Sequence, residues 1–192
     1  MIAGKLALGI ALLWGSTASA GIVSYTVNLD GPTEGTPSPG TGFGTVKYDN
    51  IAHTLAVDVT FSGLTSPTTN SHIHAATAVA FTGTAGIATT TPTFAGFPSG
   101  VTSGTYNNVL DLTLSSSYNP SYVSANGGTT ASAEAALTAA MAAGKAYWNI
   151  HTNAFPGGEI RGFLVAEAAV PEPATFLLAG AALLGVVMRR RR

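Results

Sequence analysis

Three of the four histidines have types and spacing that could build a metal site. His72 and His74 flank Ile73 in a strand-like run, and His151 ends a second such run. Because side chains alternate along a strand, His72 and His74 share one face. Three neutral imidazoles are ligands that suit copper or zinc. The same residues also fit histidines that bond backbone carbonyls and fix loops, so the spacing leaves both interpretations open.

Other candidate chemistry is sparse. Asp58, Asp111 and Glu159 are the acids that a hydrolase would use, but the sequence assigns no two of them to one site. Glu159 and Arg161 lie on one face of a predicted strand and could pair with each other or with neighbours. His53 follows a turn and is expected to be exposed. The chain has no Gly-x-Ser-x-Gly elbow, phosphate loop or His-Glu-x-x-His helix, which favours a non-catalytic protein.

The elements that must position these residues are mainly strands. In residues 54–61, Leu55, Val57, Val59 and Phe61 alternate with small or polar residues, the period of a half-buried strand. Gly, Pro, Asn and Ser clusters separate similar runs. Short strands with such punctuation predict an all-β fold, an antiparallel β-sandwich of two sheets. The other runs are residues 22–29, 43–48, 71–75, 108–114, 146–151 and 159–165.

One short helix is predicted, from Thr130 to Ala143. Its apolar residues fall on one face, Thr130 is placed to cap its start and Gly144 to end it. Residues 82–105 are rich in Thr, Gly and Pro and are expected to form a long crossing loop. Trp148 and Ile150, which alternate with His151, are expected to face the core.

Composition narrows the class of partner. Residues 21–170 carry three Lys or Arg and eight Asp or Glu, a net charge of −5. Nucleic acid needs a basic surface, so it is excluded as a partner. Cysteine is absent, and the domain must therefore fold without disulfides.

The N-terminus has the pattern of a secretory signal. Lys5 precedes a short apolar run, and the segment ends in Ala18-Ser19-Ala20. A basic start, an apolar stretch and Ala-x-Ala predict a signal peptide over residues 1–20, cleaved after Ala20. The protein is therefore expected beyond the inner membrane.

The C-terminus resembles the PEP-CTERM sorting signal of Gram-negative, exopolysaccharide-producing bacteria. Residues 170–192 contain its three parts in order: Pro-Glu-Pro, an apolar helix at 174–188, and a basic tail at 189–192. The resemblance implies a transmembrane helix that anchors the protein in the inner membrane during transit. It also implies recognition by an exosortase, cleavage near Pro-Glu-Pro, and a final location at the cell surface or in the extracellular matrix. The residues of the signal are Pro171, Glu172, Pro173, Arg189, Arg190, Arg191 and Arg192.

The middle of the chain, residues 21–169, resembles the CHRD domain, named from chordin. Three segments carry the resemblance: Ser-His-Ile-His at 71–74, Gly-Lys-Ala-Tyr-Trp-Asn-Ile-His-Thr at 144–152, and Pro-Gly-Gly-Glu-Ile-Arg-Gly at 156–162. Trp148 departs from the small aliphatic residue usual at its position. The family brings no general enzymatic activity with it.

The pattern is also similar, more distantly, to the immunoglobulin-like sandwich of Cu/Zn superoxide dismutase. By that likeness His72, His74 and His151 fall at copper-ligand positions. A bridging histidine after the His-x-His pair, the zinc-loop ligands and the disulfide cysteines are all missing. The resemblance therefore implies copper or zinc binding and gives little support to dismutation.

Two functions follow as expectations. The first is an exported, non-catalytic envelope or matrix protein that binds exopolysaccharide or envelope proteins, with Tyr106, Tyr118 and Tyr122 as candidate contacts. The alternative is a copper- or zinc-binding, superoxide-dismutase-like protein that uses His72, His74 and His151.

Overall fold

The structure is a computed structural model, and it describes residues 21–168. Most of the elements in this part are strands, as the sequence predicts. The strands are β1 (Ile22–Asp30), β2 (Thr41–Asp49), β3 (Thr54–Ser62), β4 (Thr68–Ala75), β5 (Gly104–Asp111), β6 (Ala146–Thr152), β7 (Ile160–Phe163) and β8 (Val165–Ala166). The helices are α1 (Gly31–Glu34), α2 (Pro120–Ala125) and α3 (Thr130–Ala142), with one 3₁₀ turn at Ser115–Ser117.

The described strands form one curled antiparallel sheet. Its order is β4-β6-β7-β1-β2-β3-β5, and β8 pairs with β1. Strands β1, β2 and β3 form a meander, because each pairs with the next through a full nine-residue register. β4 and β6 are separated by 70 residues of chain yet pair along most of their length. That long-range pairing brings the two histidine-bearing runs together.

Alternation decides which face of each strand is buried. Leu55, Val57, Val59 and Phe61 of β3 are at most 2% exposed, whereas Asp58 and Thr60 between them face solvent. Removing such side chains from water is the main term that stabilises the fold. The predicted strand at 108–114 is displaced, since β5 covers Gly104–Asp111 and the following residues form a turn.

Strand β6 is the exception to alternation, because all seven of its residues are buried. Trp148 and Ile150 face the core as predicted, but Tyr147, Asn149 and His151 on the opposite face are also shielded. The long segment between β4 and β5 lies along β4: Ala88 and Phe94 donate backbone N–H groups to the carbonyls of Ile73 and Ser71. This segment gives the outer face of β4 and β6 a second cover.

Helix α3 matches the predicted helix within one residue at each end. Its N-cap is Thr129 and not Thr130, and the Thr129 hydroxyl accepts from the Ser132 N–H at 3.1 Å. Gly144 follows with a φ of 67°, which favours glycine. The prediction of a single helix is incomplete, because Asp30 and Asn119 also cap short helices that begin at or beside prolines.

Both sorting segments lie outside the described residues. The signal peptide with Ala18 and Ala20, the helix at 174–188 and the arginine tail therefore remain sequence predictions. None of the helices within residues 21–168 combines the length and apolar character that a membrane crossing requires.

Candidate metal centre

The pairing of β4 with β6 brings the three predicted histidines onto one sheet face. His72 lies opposite Asn149 and His74 lies opposite Tyr147. Because facing residues project to the same side, His72, His74 and His151 share that face. The three side chains are 1%, 8% and 6% exposed, so the cluster is largely removed from solvent.

Each imidazole is held by one backbone carbonyl. The Nε2 atom of His72 lies 2.5 Å from Pro92 O, the Nδ1 atom of His74 lies 2.9 Å from Ala85 O, and the Nδ1 atom of His151 lies 2.9 Å from Pro156 O. A carbonyl oxygen can only accept, so each of these ring nitrogens carries the proton. These carbonyls come from two loops, the segment between β4 and β5 and the turn between β6 and β7, and they fix both the tautomer and the orientation of each ring.

The remaining ring nitrogens carry lone pairs and converge. The Nδ1 atom of His72 lies 3.3 Å from the Nε2 atom of His151, and one ligand nitrogen from each ring lies within 4.8 Å of the others. The Nε2 atom of His74 is buried and has no hydrogen-bond partner. An unpartnered buried acceptor is costly unless something else occupies its lone pair.

Burial also keeps the three rings neutral. Desolvation lowers the pKa of His72 and of His74 to about 4, against the weaker opposing effect of their bonds to carbonyls. Desolvation also lowers the pKa of His151. The neutral imidazole is the form that ligates a metal, so the cluster is ready for a cation at physiological pH without losing protons.

One pair of nitrogens has the spacing needed to share a small transition-metal ion. Two nitrogens that each lie about 2.0 Å from one tetrahedral ion are about 3.3 Å apart, and this is the separation between His72 and His151. Within the described residues the metal-capable cluster contains histidines alone, with no Asp or Glu. Neutral nitrogen donors without carboxylates suit copper or zinc better than calcium or magnesium.

A stack of side chains supports His74 from outside the cluster. Tyr147 is parallel to the His74 ring, with centroids 4.8 Å apart, and its hydroxyl lies 3.2 Å from Ala85 O, the acceptor of His74. The guanidinium of Arg161 lies 5.0 Å from the centroid of the Tyr147 ring. Arg161 and His74 therefore both pack on Tyr147.

Glu159 and Arg161 pair with neighbours and not with each other, which is one of the two alternatives that the sequence left open. Glu159 precedes β7 and is fully buried, where it accepts from Ser38 Oγ, from Thr65 N and Oγ1, and from Thr152 Oγ1. Burial alone would raise the pKa of Glu159, but these bonds lower it overall. Arg161 instead lies 3.3 Å from Glu34. Glu159 thus links the loops that contain Ser38 and Thr65 to the end of β6.

The remaining predicted positions do not join the cluster. Asp58 and Asp111 are exposed, and no metal-capable group in residues 21–168 includes them. His53 is exposed as expected, but its Nδ1 atom lies 2.9 Å from Glu134, which also accepts from the Tyr48 hydroxyl. The sequence did not predict that the carbonyls of Ala85, Pro92 and Pro156 would hold the three imidazoles. Every residue has a backbone carbonyl, so residue type does not indicate which one will accept a hydrogen bond.

The family is now clear from comparison with known domains. A model of the CHRD domain matches residues 25–164, nearly three quarters of the chain. This chain belongs to the CHRD domain family. The matched span of its CHRD domain contains all three clustered histidines. A second model, the PEP-CTERM protein-sorting motif, matches residues 169–192.

The sorting motif assigns a route. It is recognised by exosortase-type processing enzymes, and it marks a C-terminal membrane-anchoring signal and export to the cell surface. No curated protein and no solved structure matches this CHRD protein.

Proposed function

We propose that this CHRD domain is a metal-binding module displayed at the cell surface, which holds copper or zinc through His72, His74 and His151. The observation that carries the proposal is the convergence of three neutral ring nitrogens whose opposite nitrogens are all engaged by backbone carbonyls. Protein sites place lone pairs together in this way when a cation lies between them.

A purely structural role explains the contacts less well. If the histidines only fixed loops, the bonds to Pro92, Ala85 and Pro156 would suffice, and the remaining nitrogens would face hydroxyls or water. Instead the lone pairs of His72 and His151 face each other at 3.3 Å, and His74 Nε2 has no partner. A shared proton would relieve the repulsion only by charging a buried ring, which the lowered pKa values of His72 and His74 oppose.

Calorimetric titration with Zn(II) and Cu(II) tests the proposal. The full chain, purified in mild detergent and stripped of metal, is compared with the His72→Ala/His74→Ala double variant. His53→Ala is the matched control, because that histidine is exposed and outside the cluster. We expect one equivalent of tight binding, lost in the double variant and kept in the control, with circular dichroism showing that all three fold. Equal weak binding by all three proteins, both in these titrations and in one with Cu(I) kept reduced by ascorbate under nitrogen, would refute a metal centre.

The resemblance to superoxide dismutase also supports a proposal about the fold. We propose that the curled sheet is a sandwich whose β4 and β6 correspond to the copper-ligand strands. The likeness supports binding more than catalysis, because within residues 21–168 no second cluster of metal-capable residues accompanies the first. An assay of superoxide consumption by the copper-loaded protein, against the double variant, separates binding from dismutation.

Association with the extracellular matrix is the second candidate, and the groove between the 3₁₀ turn and α2 favours it. Hydroxyl groups line this groove: Thr90, Thr91, Ser115, Ser116 and Ser124. Serine and threonine hydroxyls can both donate to and accept from the hydroxyl groups of a sugar. The sequence offered Tyr106, Tyr118 and Tyr122 as contacts. All three are no more than 8% exposed, but Tyr118 lines this groove.

Co-sedimentation with exopolysaccharide or isolated envelope from the producing cells tests this second function. Ser124→Arg places a bulky side chain in the groove, and Thr60→Arg places the same change on the exposed face of β3. Loss of association in Ser124→Arg alone would support the groove. Equal association of both variants and the parent chain would reject it.

A further inference from the structure

One positive charge lies beside the candidate metal centre. Arg161 is on β7, where it faces Asn149 of β6, and Asn149 in turn faces His72 of β4. Its guanidinium packs on Tyr147, which stacks on the ligand His74. The Arg161 side chain is only 12% exposed, so water screens its charge weakly. Within residues 21–168, the cluster of His72, His74 and His151 includes no Asp or Glu that would offset this positive charge at the site.

The ion pair that Arg161 forms lacks a hydrogen bond. Its Nε atom lies 3.3 Å from Glu34 Oε2, but that oxygen makes no hydrogen bond. The strong hydrogen bonds of Arg161 go to backbone carbonyls, to Thr33 O at 2.8 Å and to Gly83 O at 3.2 Å. An ion pair without a hydrogen bond is a weak one, and of its two charges it is the Arg161 guanidinium that packs on Tyr147, against His74.

We infer that Arg161 makes this centre selective for monovalent copper, Cu(I), over divalent ions of similar size. The inference rests on the metal site proposed above and specifies the charge of the ion it takes. The Coulomb repulsion from a fixed cation is proportional to the charge of the bound ion, so a divalent ion is opposed twice as strongly. The cost of desolvating an ion in a buried site also rises steeply with its charge.

The donor set agrees with a monovalent occupant. Three neutral nitrogens without a carboxylate leave the whole charge of the ion uncompensated. Low coordination by three nitrogens is a geometry that Cu(I) accepts, whereas structural Zn(II) sites are almost always four-coordinate. Cu(I) and Zn(II) both have filled d shells, so ligand-field effects do not distinguish them. Their preferred coordination is the same in the parent chain and its variants, so a change of charge at position 161 acts on the two ions through their charges.

The test measures Cu(I) and Zn(II) affinities for the full chain and three variants by competition with a chromophoric chelator, with ascorbate under nitrogen for Cu(I). In Arg161→Gln the charge is removed, and we expect Zn(II) affinity to rise about tenfold and Cu(I) affinity about threefold. Arg161→Lys keeps the charge and should behave like the parent chain. Glu34→Gln removes the partial counter-charge and should lower Zn(II) affinity more than Cu(I) affinity.

The outcomes separate a charge effect from a positional one. Equal changes for both ions, or identical behaviour of Arg161→Lys and Arg161→Gln, would show that Arg161 only positions Tyr147 and would overturn the selectivity. Opposite shifts in Arg161→Gln and Glu34→Gln would support it. Absence of any binding in the parent chain would defeat both this inference and the metal site. Tight Zn(II) binding insensitive to all three variants would defeat the inference alone.

Discussion

The Nδ1 atom of His72 lies 3.3 Å from the Nε2 atom of His151, and the opposite nitrogen of each ring donates to a backbone carbonyl. With their protons committed to Pro92 O and Pro156 O, the two neutral rings face each other through lone pairs. This contact is repulsive without an added cation. The free domain therefore keeps an unfavourable arrangement that a bound metal would convert into a favourable one.

Metal binding should stabilise the fold. A ligand that binds only the native state at about 100 times its dissociation constant adds about 2.7 kcal/mol to the free energy of unfolding. We expect Zn(II) or Cu(I) to raise the thermal midpoint of the full chain and of His53→Ala, and to leave that of His72→Ala unchanged. An equal rise in His72→Ala would place the bound metal elsewhere.

The metal-free protein should lose stability as the pH falls from about 6.5 toward 4. The folded-state pKa values of His72 and His74 are about 4, below the unfolded value of 6.5, so the unfolded chain binds more protons in this window. Each histidine contributes a slope of about 1.4 kcal/mol per pH unit within it. Urea unfolding at several pH values between 7.5 and 5 measures this slope.

His74→Gln serves as the comparison for that measurement. It removes one titrating group, so the dependence on pH should become shallower between pH 6.5 and 5. A stability that does not change over this interval in the parent chain would contradict the neutral, desolvated state of the cluster.

Replacing Glu159 by Gln should cost about 2–3 kcal/mol of stability. The buried carboxylate accepts from Ser38, Thr65 and Thr152, and the amide would turn an NH₂ group toward some of these donors. The pKa of Glu159 is lowered, so its contribution is present above about pH 4.5 and disappears as the pH falls through the folded value. The difference between parent and variant should therefore shrink in acid. Glu167→Gln, at an exposed position, should be neutral in the same urea titration.

The turn before β7 contains two adjacent glycines with different requirements. Gly158 has a φ of 131°, and an added Cβ would overlap the Asn149 amide, whose Cγ lies 2.8 Å away. Gly157 has open space around it. Gly158→Ala should cost a few kcal/mol of stability, at least about 1–3 from the backbone alone. It should also weaken metal binding, since Pro156 O in this turn holds His151.

Gly157→Ala is the matched control for both measurements, unfolding by urea and titration with Zn(II). Its stability and affinity should stay close to those of the parent chain. If Gly158→Ala binds Zn(II) normally, His151 does not depend on this turn for its orientation.

Sorting should depend on the Pro-Glu-Pro segment. Replacing Pro171, Glu172 and Pro173 together by Ala should abolish recognition by the exosortase. The protein should then keep its tail and stay in the membrane fraction. Fractionation and mass measurement of the C-terminus check this, with Thr175→Ser as a control expected to be processed normally. Normal processing of the triple variant would assign recognition to the arginine tail or to the apolar run.

Local patterns in the sequence were sufficient for much of this protein. Alternation in β3 predicted its buried face, the Ala-rich run predicted α3, and period two placed His72 and His74 together. These features depend on neighbours two to four residues apart, so propensity and burial act on them directly. The sorting motif could also be identified from the sequence, because a processing enzyme recognises it as a linear segment.

Only tertiary structure decided how the site is completed. The pairing of β4 with β6 places His151 next to His72, which is 79 residues away in sequence. The backbone carbonyls of Pro92, Ala85 and Pro156 set the tautomers of the three rings, and every residue has such a carbonyl. The segment between β4 and β5 covers the histidine-bearing face of β6, so that face is buried although it carries polar residues. Arg161 forms its ion pair with Glu34 and not with Glu159, which is closer in sequence. These contacts depend on how distant segments pack, and no local periodicity encodes that packing.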